Sequence, residues 1–202
     1  MKKNNMDIIF LLDRSGSMYD NVKDTIGGYN SYLNSQKKKG HNCKITTILF
    51  DNDYEVLHNR VDIEKVNDIT EKEYYVRGCT ALLDAIGTTI TNLDSELKNN
   101  KVLFIITTDG LENASIKYTK NQIRELIKGH SNWEFLYIGA DIDSYSEGSS
   151  LGINKNNIAN YKKSKRGTEN LFESIGKASD MLYECSSLDS NWKNSLIKND
   201  KA

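Results

Sequence analysis

Proline is absent from this 202-residue chain. The absence goes with a high content of Asn and Lys and reads as a bias of composition rather than a functional signal. Cysteine is scarce: Cys43, Cys79 and Cys185 are odd in number, far apart and without paired spacing. That excludes a disulfide framework and fits reduced thiols in a reducing compartment. Cys43 opens an apolar run and is expected in the core. No apolar stretch approaches the ~20 residues of a membrane span. The N-terminus, Met-Lys-Lys-Asn-Asn, leads into an apolar run too short for a signal peptide and lacking a small-residue cleavage site. Soluble, cytoplasmic protein is the resulting expectation, with no membrane partner.

An excess of charge of either sign is also lacking. With 27 basic and 28 acidic residues the net charge is -1, so no global field favours nucleic acid or an anionic surface. Local runs (Lys37 to Lys39, and Lys162, Lys163, Lys165 and Arg166) lack interleaved aromatics and read as solvated helix ends and loops. His41, His58 and His130 fall in expected loops or on an edge hairpin, without metal-ligand spacing. There is no Gly-x-x-x-x-Gly-Lys-Ser/Thr, no Gly-x-Gly-x-x-Gly after a strand and no Gly-x-Ser-x-Gly elbow.

What the chain does contain is alternation. Residues 7–12 form a short apolar run bounded by turn chemistry, a buried strand. Residues 19–38 carry Val22, Ile26, Tyr29 and Leu33 at helical spacing, with Gly27-Gly28 either weakening the helix or permitting close packing. Cys43 to Phe50 is strand-like, Asp51-Asn52-Asp53 a tight turn, and Tyr54 to Val61 an antiparallel edge partner. Helix is expected over Thr80 to Leu97, strand over Lys101 to Thr108, helix over Thr119 to Lys128 and strand over Trp133 to Ala140. A short helix at Ser144 to Leu151, a last strand at Asn157 to Tyr161 and a helix over Gly167 to Cys185 follow. This pattern predicts an α/β fold: a Rossmann-like open sheet, mostly parallel with one antiparallel edge strand, helices on both faces. Residues 1–187 are read as one domain, which at this length buries roughly 70% of its unfolded surface. Residues 188–202 form a polar tail, with Trp192 and Leu196 able to pack it down.

In such a sheet function gathers at the carboxyl ends of the strands. Asp13, Ser15 and Ser17 follow the first strand at alternate positions, Asp109 follows the strand ending at Thr108, and Thr80, after Arg77-Gly78-Cys79, can project a hydroxyl to the same rim. All are hard oxygen donors suited to a cation such as Mg2+. Taken singly, each loop is equally an Asx or Ser turn, an N-cap or an Asp-Gly turn.

Asp-x-Ser-x-Ser, the Thr of Gly-Cys-Thr-Ala-Leu-Leu-Asp-Ala-Ile-Gly and the Asp of Thr-Thr-Asp-Gly, in this order, resemble the von Willebrand factor A (vWA) domain family and its metal-ion-dependent adhesion site. The resemblance covers roughly residues 5–187. It implies that Asp13, Ser15, Ser17, Thr80 and Asp109 hold Mg2+ or Mn2+, Ca2+ fitting less well. It implies further that the ion bridges to an Asp or Glu of a partner protein, and that a change of ligand state can shift the last helix. Cys79 departs from the Ser that related bacterial chains carry, at a position that is no ligand. Asp84, a turn inside the helix, reads as a capping or supporting group rather than a ligand. Asp141 and Asp143 read as turn and helix-cap residues, and Glu112 as a surface loop residue, with hydrogen bonding to metal-bound water as its alternative.

Two carboxylates roughly neutralise a divalent ion while hydroxyls add no charge, which leaves it electrophilic enough to accept a partner's carboxylate. The rival reading is a haloacid-dehalogenase-like phosphatase with Asp13 as nucleophile. That chemistry needs a second acid two positions on, where this chain has Ser15. The sequence therefore predicts a binding module rather than an enzyme.

Overall fold

The structure is a computed structural model and describes residues 6–185 and 187–197. Chain order is β1 (Met6–Asp13), α1 (Val22–Lys38), β2 (Cys43–Phe50), β3 (Tyr54–Asp62), α2 (Leu82–Leu97), β4 (Lys101–Thr108), α3 (Lys120–Gly129), β5 (Trp133–Ala140), α4 (Ser144–Ser150), β6 (Ile158–Tyr161), α5 (Lys165–Cys185) and α6 (Asn194–Ile197). The six strands form one sheet in the order β3-β2-β1-β4-β5-β6. All neighbours are parallel except β2 and β3. The open, mostly parallel sheet with one antiparallel edge is the architecture the alternation predicts.

Every residue of β1 is buried, because the strand lies mid-sheet with helices on both sides. Ile8, Phe10 and Leu12 join the core cluster shared with Tyr29, Tyr32 and Leu33 of α1 and with Leu171, Phe172 and Ile175 of α5. Ile9 and Leu11 point the other way, into a cluster with Ile86 and Ile90 of α2 and with Ile123 and Ile127 of α3. A period of two on the strand thus serves two faces. Gly28 permits the close approach of α1 to α5: a methyl there would run into the Phe172 ring, whereas Gly27 faces open space.

The expected helix over 19–38 is shorter than predicted. Residues Gly16–Asn21 form a 3-10 turn instead, with the Met18 amide donating to the Ser15 carbonyl, so the regular helix starts only at Val22. Trp192 and Leu196, expected as possible anchors of the C-terminal segment, are buried in the cluster under α5. The Trp192 indole donates to the Asn156 carbonyl at 3.0 Å. Among the described residues no helix is long and apolar enough to cross a membrane.

β1 is the strand from which the chain turns both ways, pairing with β2 on one side and β4 on the other. From β1 the chain continues into α1, packed on one face, while from β4 it continues into α3, packed on the other. Loops that part in this way leave a crevice at the carboxyl ends of the two strands.

Candidate functional site

That crevice contains the five residues singled out from sequence. Asp13 closes β1 with its side chain buried. One carboxylate oxygen accepts the Ser15 amide at 2.7 Å and the other the Thr108 hydroxyl at 2.6 Å. Burial pushes this carboxyl up to about 6, against the lowering effect of those two hydrogen-bond donors and with a further upward push from nearby Asp109. The Ser15 and Ser17 hydroxyls stand 3.0 Å apart. Ser17 in turn reaches Asp109 Oδ1 at 2.5 Å.

Thr80 comes from the third loop, and here the sequence expectation needs correcting. The helix begins at Leu82 rather than Thr80, and Thr80 does not cap it. The first turn of α2 is satisfied from outside: Glu112 accepts the Leu83 amide at 2.9 Å and Ser115 Oγ the Asp84 amide at 3.0 Å. Relieved of capping, the Thr80 hydroxyl faces the crevice. A methyl built on Gly110 would lie 2.9 Å from Thr80 Oγ1 and 3.7 Å from Ser17 Oγ. Only a glycine after Asp109 therefore leaves the space between these hydroxyls open.

The loops are tied together by groups that sequence reasoning passed over. Tyr74, fully buried, donates its hydroxyl to the Asp13 carbonyl at 2.5 Å. Burial and the adjacent Asp13 hold this phenol well above its ordinary range, so it remains a donor. Arg14, the variable position of Asp-x-Ser-x-Ser, is buried. Its Nε meets Asp51 at 3.2 Å and its Nη1 meets Glu55. Asp51 also receives Arg77 at 2.7 Å. The backbone amide of Arg77 donates to the Arg14 carbonyl, and Gly16 donates to Gly78. Gly78 has φ +67, and Asn52 fills the space a side chain would need there. Nothing in an isolated Arg or Tyr in the sequence signals these partners, because each lies across a separation of dozens of residues.

Asp84 does not cap α2 but supports a neighbouring loop. It accepts the amides of Ile116, Lys117 and Tyr118 at 2.8–2.9 Å and so fixes the loop between β4 and α3. Losing three such acceptor contacts predicts about 1–3 kcal/mol of destabilisation for Asp84→Ala, read from a urea melt; an unchanged midpoint would contradict it. Glu112 accepts amides of Leu83, Ala114 and Ser115, a loop-organising role. Asp143 caps α4 through the Ser146 amide, and Asp141 occupies a left-handed turn position at φ 56. Cys43 is buried as expected, and Cys79 is exposed with its amide held by Asn52 at 2.7 Å.

One residue read as a solvated lysine sits elsewhere than expected. Lys163, in the turn between β6 and α5, places Nζ 2.6 Å from Asp109 Oδ2 and donates to the Ser17 carbonyl. Its position just past the carboxyl end of β6 matches that of Asp109 past β4, the signal that would have flagged it.

Among the described residues, no three His, Cys, Asp or Glu side chains gather as metal ligands. The cluster has two carboxylates, and hydroxyls supply the remaining oxygens. Asp109 Oδ2 is buried without a directed hydrogen bond, its ion pair with Lys163 notwithstanding.

No family model matches the chain, and no curated protein matches it. Solved structures do. Proximal thread matrix protein 1 from the mussel byssus superposes with a TM-score of 0.63 at 17% identity, over 86% of this chain and 46% of that one. The same protein has been solved with a zinc-occupied MIDAS motif. The von Willebrand factor type A structure from Catenulispora acidiphila gives 0.64 at 15% identity, over 87% and 42% of the two chains. The vWF domain of the pilus tip protein Mfa5 from Porphyromonas gingivalis gives 0.64 at 9% identity, over 93% and 99%. The chain spans about half the length of the first of these. At these identities the likeness establishes a vWA-like α/β fold.

Proposed function

We propose that this protein is a divalent-cation-dependent protein-binding module. Asp13, Ser15, Ser17, Thr80 and Asp109 hold Mg2+ or Mn2+, and the ion bridges to an Asp or Glu of a partner protein. The observation that carries this reading is the convergence of hydroxyl and carboxylate oxygens from three loops around the space over Gly110. The fit is supported by spacing. Oxygens that share an octahedral Mg2+ at about 2.1 Å lie about 3.0 Å apart along each edge, and Ser15 Oγ and Ser17 Oγ stand 3.0 Å apart. Asp109 Oδ2, buried and met by the Lys163 ammonium at 2.6 Å rather than by a directed hydrogen bond, is a further oxygen suited to a cation. When bound, the ion supplies an electrophilic position for a carboxylate; Ca2+, which prefers more and longer oxygen contacts, suits this small cluster less.

The chain's own residues do the orienting. Thr108 and the Ser15 amide fix the Asp13 carboxylate, and Tyr74 fixes its backbone. Around the cluster, Tyr19 is 74% exposed and Leu111 54%. They lie two positions after Ser17 and Asp109 and offer apolar contact beside a charged centre, the composition of an interface core.

Hydrolytic use of Asp13 is disfavoured. An aspartyl-phosphate route needs a second acid two positions on, to protonate the leaving group and then to activate water, and Ser15 stands at that position.

Removing the ion or Asp13 is the test. Mn2+ titrated into the protein should bind, and Asp13→Ala should lose at least about 10-fold in affinity, the equivalent of one charge-assisted contact at roughly 1.4 kcal/mol. Partner capture should require Mg2+ or Mn2+ and vanish in EDTA. A partner held equally well in EDTA would refute the bridge, and phosphoester turnover abolished by Asp13→Asn would replace it with catalysis.

A further inference from the structure

Lys163 places its ammonium against a carboxylate of the candidate site, and the metal reading leaves it without a task. Its Nζ lies 2.6 Å from Asp109 Oδ2 and donates to the Ser17 carbonyl, so it touches two of the three loops that form the cluster. Its side chain is 21% exposed, against 1% for that of Asp109. The ammonium therefore arrives from solvent and ends on a buried carboxylate.

The two carboxylates are not equally provided for. Asp13 has a donor on each oxygen. Asp109 has the Ser17 hydroxyl on Oδ1, while Oδ2 has only the Lys163 charge. A buried carboxylate with one unpaired oxygen, beside a second buried carboxylate, is costly unless a cation compensates it. Lys163 supplies that cation from within the chain. The backbone aims it: the Ser164 amide donates to the Lys162 carbonyl, Ser164 Oγ accepts the Gly167 amide, and any side chain at Gly167 would strike the Lys162 carbonyl.

We propose that Lys163 is a tethered counter-cation that occupies the Asp109 side of the cluster and that a divalent ion must displace to bind. This inference rests on the metal-site reading above. A divalent ion held by Ser15, Ser17 and Asp109 and an ammonium on the same carboxylate carry like charge within one side chain's breadth, in a partly desolvated crevice where such repulsion is strong. The flexible, strongly hydrated lysine stem is the partner able to leave, since it can swing into water. Lys163 thus sets the ion concentration at which the site fills: it protects the metal-free cluster and weakens the loaded one. Because the turn 162–164 leads directly into α5, filling the site also frees the residue that pins this turn to the Ser17 loop.

The test compares wild type, Lys163→Met, which keeps the stem without the charge, and Lys163→Arg, which keeps the charge. Mn2+ affinity is measured by calorimetry, and melting temperature is measured in EDTA and in saturating Mn2+. Lys163→Met should bind Mn2+ about 10-fold more tightly or better, the scale of removing one adjacent like charge. It should melt lower than wild type in EDTA and gain more from Mn2+, while Lys163→Arg should bind about as weakly as wild type. Equal or weaker binding by Lys163→Met, with wild type binding Mn2+ normally, overturns the counter-cation and leaves the metal site standing. Absence of Mn2+ binding in both wild type and Lys163→Met overturns the metal site itself, and the counter-cation with it.

Discussion

Asp51→Ala is expected to lower stability by about 3–5 kcal/mol, the range for removing one partner of a buried ion pair, and to weaken divalent-ion binding at the same time. Asp51 lies at the end of β2, fully buried, where it receives Arg14 and Arg77 and accepts the Asp53 amide at 2.6 Å. Without it, Arg14 would keep the Tyr75 ring face and, as an ion-pair partner, Glu55, whose side chain is 46% exposed, and Arg14 already has an unpaired buried Nη2. The loss would therefore fall on a guanidinium that has no route to water. The second consequence follows from connectivity. Arg14 belongs to the Asp13-to-Ser17 loop and Arg77 to the segment leading to Thr80, so Asp51 locks two of the three oxygen-bearing loops to one point. Urea unfolding and Mn2+ titration of the same variant would separate the effects. Asp51→Asn, which keeps the shape and an acceptor oxygen, should fall between wild type and Ala in both. A loss under about 1 kcal/mol for Asp51→Ala would mean that Glu55 suffices for Arg14, contrary to the role given to Asp51 here.

Trp192→Ala is expected to cost about 3–5 kcal/mol, as large-to-small changes at fully buried aromatics do. Trp192 is fully buried, and its indole caps the Asn156 carbonyl just before β6. Lys193 beside it donates to the carbonyls of Lys155 and Ile158 at 2.9 and 2.6 Å. These contacts hold the C-terminal segment across the start of β6, the strand that delivers Lys163 to the site. The variant should thus show a lowered urea midpoint, with Trp192→Phe recovering most of the packing and none of the hydrogen bond. A midpoint within about 0.5 kcal/mol of wild type, the scale of ordinary surface substitutions, would show that the segment contributes little.

The fold was legible because burial on both sheet faces forces near-continuous apolar strands such as β1 and β4, and helices such as α2 carry their stripe at Leu82, Ile86, Ile90, Leu93 and Leu97. Both are local patterns. The convergence of Asp13, Ser15, Ser17, Thr80 and Asp109 was legible for a related reason: strand ends are local, and parallel strands bring their carboxyl ends to one rim. What escaped was whatever depends on a side chain's reach. Arg14 looks like a spacer, Tyr74 like a loop aromatic and Lys163 like a solvated charge until their distant partners are known. The start of α2 was misjudged for the same reason. Thr80 has the chemistry of an N-cap, but Glu112 and Ser115, from beyond β4, perform that task and leave its hydroxyl to the crevice.

The sheet has two open borders, and each is unsuited to recruiting another strand. On one side β3 is irregular: its pairing with β2 shifts register around Thr47, Arg60 adopts φ 50, and Glu55, His58 and Arg60 interrupt its face with charged or titratable groups. On the other side β6 offers only four residues, with Lys193 already bonded to the Ile158 carbonyl. Bulged, charged and short borders are how sheets avoid edge-to-edge aggregation. The sheet's exposed backbone is thereby kept from self-association, which leaves the loops at the strand ends, rather than the sheet borders, as the face on which the proposed binding role depends.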